Sequence, residues 1–499
     1  LRDGDARIDG RAAVRGLLLG CFEERAKPLP LSALSEDFAF ALLPEDWDQF
    51  EPYMHAALHR IPGLEEAEVK LLLNGPEGFT PDGRFLLGPQ HEMPGLYIAA
   101  GMNSGGVNNS AGVAKALTEI IMSGTSQIDM TPYEPSRFAA FHSAPDWLSE
   151  RIAETPGHLY NLGRVAKDYK SGRDLRLSPL HKAQPGAQMS SVMGWERPAL
   201  IVSEGQTAAE AGAAGWRWAC ETVAMIDATA RGRRILPLRV LAERCTQWCP
   251  NLGDLQPGQT RVVTAFDEAG GGLGRCYVTS LGDGLALVGT EAERATTDGA
   301  LFAGPVKGWP VFRLAEAGLA QALLLGPLAT RVLSAYFHQG KEYTGHFDIG
   351  GADAFATRLP DRDAWLVTLP ADVARSGWDR LAATTTSLGG GIAGWSVVEL
   401  DRIARALPGS GREIVTALPL TILSAAAPDL RLYPFHCHEP LNGGEPIWHA
   451  SVPVGAITSV GAMPDGSRIG IAVLHGPDGP FEADLEGRRV RLEPREPLQ

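Results

Sequence analysis

The stretch Leu96-Tyr-Ile-Ala-Ala-Gly-Met-Asn-Ser-Gly-Gly106 decides how the first part of the chain folds. Residues 96–100 form a short apolar run, which indicates a strand. The apolar spacing from about Ser110 to Ile121 indicates a helix that ends at Gly124. A strand, a glycine-rich turn and a helix start bring backbone N–H groups and the positive end of the helix to one place. The turn therefore predicts a site for a phosphate or for the electron-rich edge of a flat ring.

The candidate site residues are the six members of this turn: Gly101, Met102, Asn103, Ser104, Gly105 and Gly106. The three glycines would let a flat ring, such as a flavin, approach the backbone closely. The helix N-terminus would stabilise a flavin that becomes anionic on reduction. On spacing alone a purely structural turn is the alternative, because many strand–helix turns have this composition.

Length and composition narrow the class of protein. A chain of 499 residues allows about three domains. With 45 Lys+Arg against 59 Asp+Glu, the formal charge is −14, which argues against a nucleic-acid-binding protein. No apolar run approaches the roughly 20 residues of a membrane span. Six cysteines are too few for a disulfide framework, and we expect no metal site among them. Together with the lack of a signal segment in the given sequence, they predict a cytoplasmic location.

Residues 1–124 alternate predicted strands and helices. Gly16 to Glu23 indicates a buried strand, and Val69 to Leu73 a second, short one. Pro44 to Asp48 caps a helix that Pro62-Gly63 terminates. The region is predicted to end as one domain at Gly124.

The rest of the chain divides into three predicted regions. Residues 125–195 form a connecting region, and residues 196–425 form an α+β domain. Leu319 to Tyr336 is its clearest helical stretch, which Gly326-Pro327 is expected to split. Residues 426–499 are short strands separated by Gly, Pro and Asp turns, which predicts a small β-barrel.

Two stretches of the α+β region, one charged and one glycine-rich, are interpreted as structural rather than functional. Asp361-Arg-Asp363 indicates an exposed charged turn. Gly389-Gly-Gly-Ile-Ala-Gly394 matches the Gly-x-Gly-x-x-Gly pattern but follows no buried strand, so we interpret it as a loop.

Several segments together resemble the closing part of FAD-dependent amine dehydrogenases of the dimethylglycine and sarcosine dehydrogenase family. They include Asn74-Gly-Pro-Glu-Gly-Phe-Thr-Pro-Asp-Gly-Arg84, Ala99 to Gly106, Leu43-Pro-Glu-Asp-Trp-Asp48 and Gly194-Trp-Glu-Arg-Pro198. The resemblance implies an α+β multi-domain protein: the C-terminal part of a DAO-type FAD-dependent oxidoreductase domain, then a T-protein-like domain and a small C-terminal β-barrel. It implies FAD as the cofactor and a small N-methylated amino acid as the substrate.

Residues from about 196 onward resemble glycine-cleavage T-protein, an aminomethyltransferase, through Leu325 to Leu333 and Val454 to Ser459. The resemblance places Arg275 where the family has an acid that engages folate, and Ala404 where the family has a pterin-binding glutamate. Neither replacement can accept a proton from a folate nitrogen or donate one as an acid does. The resemblance therefore implies a folate-binding-type domain that is degenerate and has lost standard chemistry with its cofactor, tetrahydrofolate.

The family's dinucleotide-binding unit would precede Leu1, so we expect the chain to lack the segment that holds the ADP half of FAD. The first hypothesis is a flavin-dependent oxidoreductase that demethylates N-methyl amino acids. The second is a non-catalytic chain or remnant that partners a separate flavin-binding subunit. The third is a stand-alone folate-dependent aminomethyltransferase, which Arg275 and Ala404 oppose.

Overall fold

The computed structural model describes residues 2–4, 6–14, 16–90, 93–124, 126, 130–159, 169–266, 272–303, 318–337, 345–407, 431–441, 443, 445–450, 452–474, 479–485 and 488–496. The chain forms two compact units, residues 1–173 and 174–499. The boundary between them lies inside the predicted connecting region. The finer division at residues 124, 195 and 425 stays a prediction.

The described residues of the first unit form two small sheets and three α-helices. A three-stranded sheet has the order β1-β2-β3, and β4 pairs antiparallel with β5. In chain order its elements are β1 (Arg2–Asp3), β2 (Ile8–Ala13), β3 (Gly16–Cys21), α1 (Trp47–Arg60), β4 (Leu86–Pro89), β5 (Tyr97–Ala100), α2 (Gly106–Ser123) and α3 (Pro145–Leu159).

The two helices predicted in this unit are confirmed. The side chain of Asp46 accepts a hydrogen bond from the backbone N–H of Gln49 and caps α1, which ends before Pro62. The cap of α2 at Gly124 has the left-handed conformation, with φ of 79°. Helix α2 begins four residues earlier than predicted, because the glycines at its start already adopt helical geometry.

Two strand predictions in the first unit need correction. The strand at residues 16–21 exists, but its side chains are half-buried or exposed rather than buried. Residues 69–73 form no strand, and Val69, Leu71 and Leu73 are each more than half exposed. A strand needs a neighbour to satisfy its backbone N–H and C=O groups, and the apolar pattern alone does not supply one.

The second unit is a larger α+β assembly. Its elements in chain order are β6 (Arg176–Leu177), β7 (Ala187–Val192), β8 (Trp195–Ile201), α4 (Ala208–Glu221), β9 (Ala224–Asp227), β10 (Gly232–Pro237), α5 (Leu238–Arg244), β11 (Thr260–Phe266), β12 (Gly272–Gly282), β13 (Leu285–Thr290), α6 (Thr297–Ala303), β14 (Leu319–Leu325), α7 (Ala329–Leu333), β15 (Gly345–Asp348), β16 (Asp353–Leu359), β17 (Ala364–Pro370), α8 (Ala374–Ser387), β18 (Gly391–Ile392), α9 (Trp395–Ala404), β19 (Arg431–Cys437), β20 (Pro446–His449), β21 (Val452–Ala462), β22 (Arg468–Leu474), β23 (Phe481–Leu485) and β24 (Arg488–Pro494).

Three sheets and a barrel organise these elements. The short sheet β6-β8-β7 comes first, and the four-stranded sheet has the order β10-β13-β12-β11. The six-stranded sheet has the order β15-β16-β17-β14-β9-β18 and carries the largest core, which includes Trp378 of α8. Strands β19-β22-β21-β20-β23-β24 close into a barrel, as the spacing of the C-terminal strands predicted. Among the described residues, no helix is both long and apolar enough to cross a membrane.

The helix predicted at residues 319–336 is wrong over its first half. Residues 319–325 are strand β14, which pairs antiparallel with β17 on one side and β9 on the other. Leu323, Leu324 and Leu325 are fully buried. A central strand covered on both faces is apolar at every position, so its sequence lacks the alternation that distinguishes a strand from a buried helix.

The glycine-rich stretch at residues 389–394 contains the short strand β18 and the start of α9 rather than a loop alone. Its glycines are needed for packing. A Cβ at Gly390 would lie 2.1 Å from the carbonyl oxygen of Val223, and one at Gly394 would lie 2.2 Å from that of Ala199. Close packing against the chain's own backbone therefore accounts for both glycines.

Candidate functional site

The six predicted site residues form the turn between β5 and α2. Three successive or nearby positions have positive φ: 61° at Gly101, 50° at Asn103 and 60° at Ser104. Side chains other than glycine rarely adopt this conformation, so the surrounding structure must hold it in place.

Asn103 provides the main hold. Its side chain is buried, and its Oδ1 accepts a hydrogen bond from the backbone N–H of Thr80 at 2.8 Å, while its Nδ2 donates to the carbonyl of Gly101 at 2.7 Å. The backbone N–H of Asn103 also donates to the carbonyl of Gly78 at 3.3 Å. The structure thus brings together the two stretches, 74–84 and 99–106, that the sequence analysis selected.

A second set of contacts supports the loop that Asn103 grips. Thr80 Oγ1 donates to the carbonyl of Arg84 at 2.8 Å. The Arg137 guanidinium binds both carboxylate oxygens of Asp82, at 2.8 and 3.1 Å, and donates to the carbonyl of Arg84 at 2.6 Å. Sequence reasoning missed Arg137, because it lies in a Pro-rich segment without periodicity, more than 50 residues from its partner.

The glycines of the turn do not share one role. A Cβ at Gly101 would lie 2.8 Å from Thr80 Cγ2, and a Cβ at Gly105 would lie 2.8 Å from Asn109 Nδ2. Contacts within the chain therefore account for both of these glycines. At Gly106 the nearest atom to an added Cβ is Met102 Cβ at 3.5 Å, an ordinary contact distance.

The start of α2 is suited to an electron-rich group. Gly105 occupies the N-cap position, offers no side-chain cap, and the first turn contains no acidic residue. Uncapped N–H groups at a helix start attract anions and partial negative charge. Beside this end, the carboxylate of Glu77 accepts a hydrogen bond from Ser104 Oγ at 2.8 Å.

In the second unit, Arg275 lies in a network of buried charges. Its Nη2 donates to Asp361 Oδ2 at 2.6 Å, and Tyr277 Oη donates to the same oxygen at 2.8 Å. Burial favours a raised pKa at Asp361, but the guanidinium groups of Arg362 and Arg275 outweigh burial and lower that pKa below its usual value. Asp361 is therefore an ionised carboxylate that neutralises arginines.

The prediction of an exposed turn at residues 361–363 is wrong for two of its three residues. The side chains of Asp361 and Arg362 are 12% and 6% exposed. Buried charges are tolerated where opposite charges pair with them, and the partners come from β12 and α9, far away in sequence. Asp363, with 56% of its side chain exposed, fits the prediction.

Helix α9 carries a buried acid, Asp401, close to Ala404, the position where the resemblance implies a glutamate. Asp401 Oδ1 accepts from Arg405 Nε at 2.8 Å, and Asp401 Oδ2 lies 3.5 Å from Arg362 Nη1. Ala404 itself is buried. Beside this network, Tyr277 and Thr279 line a cavity of only about 20 Å³.

Two segments of the chain match models of known protein families. Residues 6–120 match the family model "FAD dependent oxidoreductase", and residues 123–178 match "FAD dependent oxidoreductase central domain". The predicted resemblance to the FAD-dependent amine dehydrogenase family is confirmed.

Two curated relatives show the extent of the match. The chain is 35% identical over 202 residues to the mitochondrial pyruvate dehydrogenase phosphatase regulatory subunit of Mus musculus, which covers 40% of this chain and 23% of that protein. It is 34% identical over 203 residues to the mitochondrial sarcosine dehydrogenase of Mus musculus, covering 40% of this chain and 22% of that protein. The match thus spans less than a quarter of each relative.

A solved structure matches the architecture of the larger part. Glycine cleavage system aminomethyltransferase T from Bartonella henselae aligns with a TM-score of 0.53 and 16% sequence identity, covering 65% of this chain and 98% of that one. At this identity the likeness establishes the fold alone, and it confirms the predicted T-protein-like architecture.

Proposed function

We propose that this chain, related to the FAD-dependent sarcosine and dimethylglycine dehydrogenases, is part of a flavin-dependent oxidoreductase that demethylates N-methyl amino acids. The turn at residues 101–106 carries the proposal. Asn103 and the loop around Thr80 hold it rigidly at an uncapped helix start, inside the segment that matches the FAD-dependent oxidoreductase model.

The residues of the turn fit one edge of a flavin. Bound FAD would accept a hydride from the carbon next to the amine nitrogen. The N–H groups at the start of α2 would donate to the edge that gains negative charge. Asn103 acts as a positioning residue, because its bonds go to the chain's own backbone.

The exposed surface of the first unit is consistent with a partner that completes the flavin site. Large apolar side chains are exposed along it, among them Val107, Met122 and Leu71 at 90%, 80% and 62%. Exposed apolar side chains that form a continuous patch mark a surface that another polypeptide covers. We propose that the dinucleotide-binding half of the flavin fold covers it, on a separate subunit or on the same polypeptide.

An FAD titration of the purified chain, followed by absorption and flavin fluorescence, tests this function. We expect saturable binding, and we expect sarcosine or dimethylglycine to bleach the bound flavin under anaerobic conditions. Asn103→Ala should weaken FAD binding, whereas Asn108→Ala, at an exposed position of α2, should not. A chain that ignores FAD even with a flavin-fold partner present would contradict the proposal.

We further propose that the T-protein-like region has lost tetrahydrofolate chemistry. Arg275, at the predicted acid position, is bonded to Asp361, and the cavity beside Tyr277 has room for about one water molecule. Thermal unfolding with and without tetrahydrofolate tests this loss. We expect no shift of the melting temperature. A saturable increase would show that the chain binds tetrahydrofolate and would contradict the proposed loss.

A non-catalytic role is the second candidate, and two observations favour it. One relative is by name a regulatory subunit of a phosphatase, and the exposed apolar surface of the first unit fits an assembly protein as well as an enzyme. This role predicts a colourless protein that gains stability only from a partner.

The six cysteines are free thiols, which supports a reducing compartment such as the cytoplasm.

A further inference from the structure

The second unit contains an open cleft on one side of the turn between β16 and β17. Its volume is about 690 Å³. The charged residues among those that line it are four arginines and two aspartates: Arg261, Arg358, Arg362, Arg405, Asp361 and Asp363. A cationic lining is unexpected in a chain whose formal charge is −14.

Arg362 is the buried base of this lining. Its side chain is 6% exposed, and its contacts with carboxylates are long: 3.4 Å from Nε to Asp361 Oδ1 and 3.5 Å from Nη1 to Asp401 Oδ2. Within the described part of the chain, Nη2 makes no hydrogen bond. A guanidinium group has five N–H donors, so Arg362 can donate to a further acceptor in the cleft.

The two neighbouring carboxylates are engaged by other groups at shorter distances. Asp361 accepts from Arg275 at 2.6 Å and from Tyr277 at 2.8 Å, and Asp401 accepts from Arg405 at 2.8 Å. Three guanidinium groups, those of Arg275, Arg362 and Arg405, therefore share the two carboxylates.

Two more arginines bring positive charge to the same cleft from its exposed side. Arg261 is half-buried, and its Nη1 donates to the carbonyl of Asn251 at 2.7 Å. The side chain of Arg358 is 62% exposed, and its nearest acid, Asp363, lies 4.0 Å away. Guanidinium groups bind phosphate and carboxylate through paired hydrogen bonds, so their convergence suits an oxyanion.

We propose that this cleft binds a small molecule through a phosphate or carboxylate group, with Arg362 donating to the oxyanion and Arg261 and Arg358 adding charge around it. The site does not depend on the flavin. It also differs from the degenerate folate position, because Arg275 and Tyr277 contact Asp361 but are not among the residues that line the cleft.

Isothermal titration calorimetry of the full chain tests the site, with pyrophosphate and citrate as probes in a low-salt, phosphate-free buffer. We expect saturable binding that weakens as sodium chloride is raised. Tighter binding of pyrophosphate assigns a phosphate ligand, and tighter binding of citrate assigns a carboxylate. No saturable binding of either probe would overturn the proposal.

Variants locate the binding. The double variant Arg261→Gln/Arg358→Gln should weaken binding about tenfold or more, because it removes two charge-assisted donors. Arg375→Gln/Arg488→Gln removes the same charge from exposed ion pairs of the second unit that do not line the cleft, and it should leave binding unchanged. Arg362→Gln is the direct variant, but it alters a buried network, so the Arg261→Gln/Arg358→Gln variant decides. Equal losses in both double variants would reduce the effect to general charge and overturn the site.

Discussion

Arg137 and Asp82 form a two-pronged ion pair, in which Nε and Nη2 of the arginine reach the two carboxylate oxygens at 2.8 and 3.1 Å. The same guanidinium donates to the carbonyls of Tyr133 and Glu134 at 3.0 Å each. One side chain thereby ties the loop that contains Thr80 to the segment after α2.

Replacing this arginine tests that tie. Arg137→Lys keeps the charge but offers one donor centre in place of a planar fork, so most of these bonds are lost. We expect the free energy of unfolding of the first unit to fall by about 1–3 kcal/mol. Urea denaturation followed by tryptophan fluorescence measures it. Arg25→Lys, at an exposed position without such bonds, should have no effect; equal effects of the two variants would contradict the role of Arg137.

Glu154 predicts an acid-sensitive contribution to stability. Burial favours a raised pKa, but hydrogen bonds from Lys170, Ser171 and His158 outweigh it and lower the pKa of Glu154 to about 2. A depressed pKa stabilises the fold above the unfolded-state value, and this contribution is lost as the pH falls from about 4.5 to 2. Glu154→Gln should therefore destabilise the protein at pH 7 and much less at pH 3.

Chemical denaturation at the two pH values measures this difference. Glu51→Gln, at an exposed position of α1, is the matched control and should show no pH-dependent effect. A Glu154→Gln effect of the same size at both pH values would show that the lost stability does not come from the ionised carboxylate.

Asp298 predicts the opposite pH dependence. Burial raises its pKa to about 6, against the opposing effect of Arg294. A raised carboxyl pKa means that the group stabilises the fold most below its unfolded pKa, and that this advantage is lost as the pH rises from about 4 to 6. The stability of the wild type relative to Asp298→Asn should fall over this interval, as measured by urea denaturation. Asp372→Asn, at an exposed aspartate, should show no such trend; a flat difference for Asp298→Asn would contradict the raised pKa.

Two glycines of α4 predict opposite effects of the same substitution. A Cβ at Gly212 meets no atom within 4 Å, so Gly212→Ala should stabilise the helix by about 0.5–1 kcal/mol. A Cβ at Gly215 would lie 2.7 Å from Val397 Cγ2 on α9, so Gly215→Ala should destabilise by about 1–3 kcal/mol. Thermal unfolding of the two variants measures both signs. Stabilisation by Gly215→Ala would contradict the close packing of α4 on α9.

Local signals were sufficient for some elements and not for others. The α1 cap at Asp46, the left-handed end of α2 at Gly124 and the short barrel strands are set by residues close in sequence, so the sequence predicted them. Strand β14 was mistaken for a helix because its partners, β9 and β17, lie about 95 and 45 residues away and impose the extended conformation.

The candidate site shows the same division. The sequence placed the turn at residues 101–106 from its glycines, yet its rigidity comes from the bond between Asn103 and Thr80, and nothing local identifies that pairing. The burial of Asp361 and Arg362 likewise depends on Arg275 and Asp401, which belong to other elements.

The Asn103–Thr80 bond also closes a loop of the chain that contains the β4–β5 hairpin. Strands β4 and β5 leave the anchored loop and return to it, and at their far end the described residues Gln90 and Met93 to Leu96 make no hydrogen bond to the turn. Lengthening that connection changes only the entropy of loop closure, by about 0.6 kcal/mol for each doubling. It is therefore the position at which a fluorescent tag or an affinity peptide could be grafted into the chain while the turn keeps its shape.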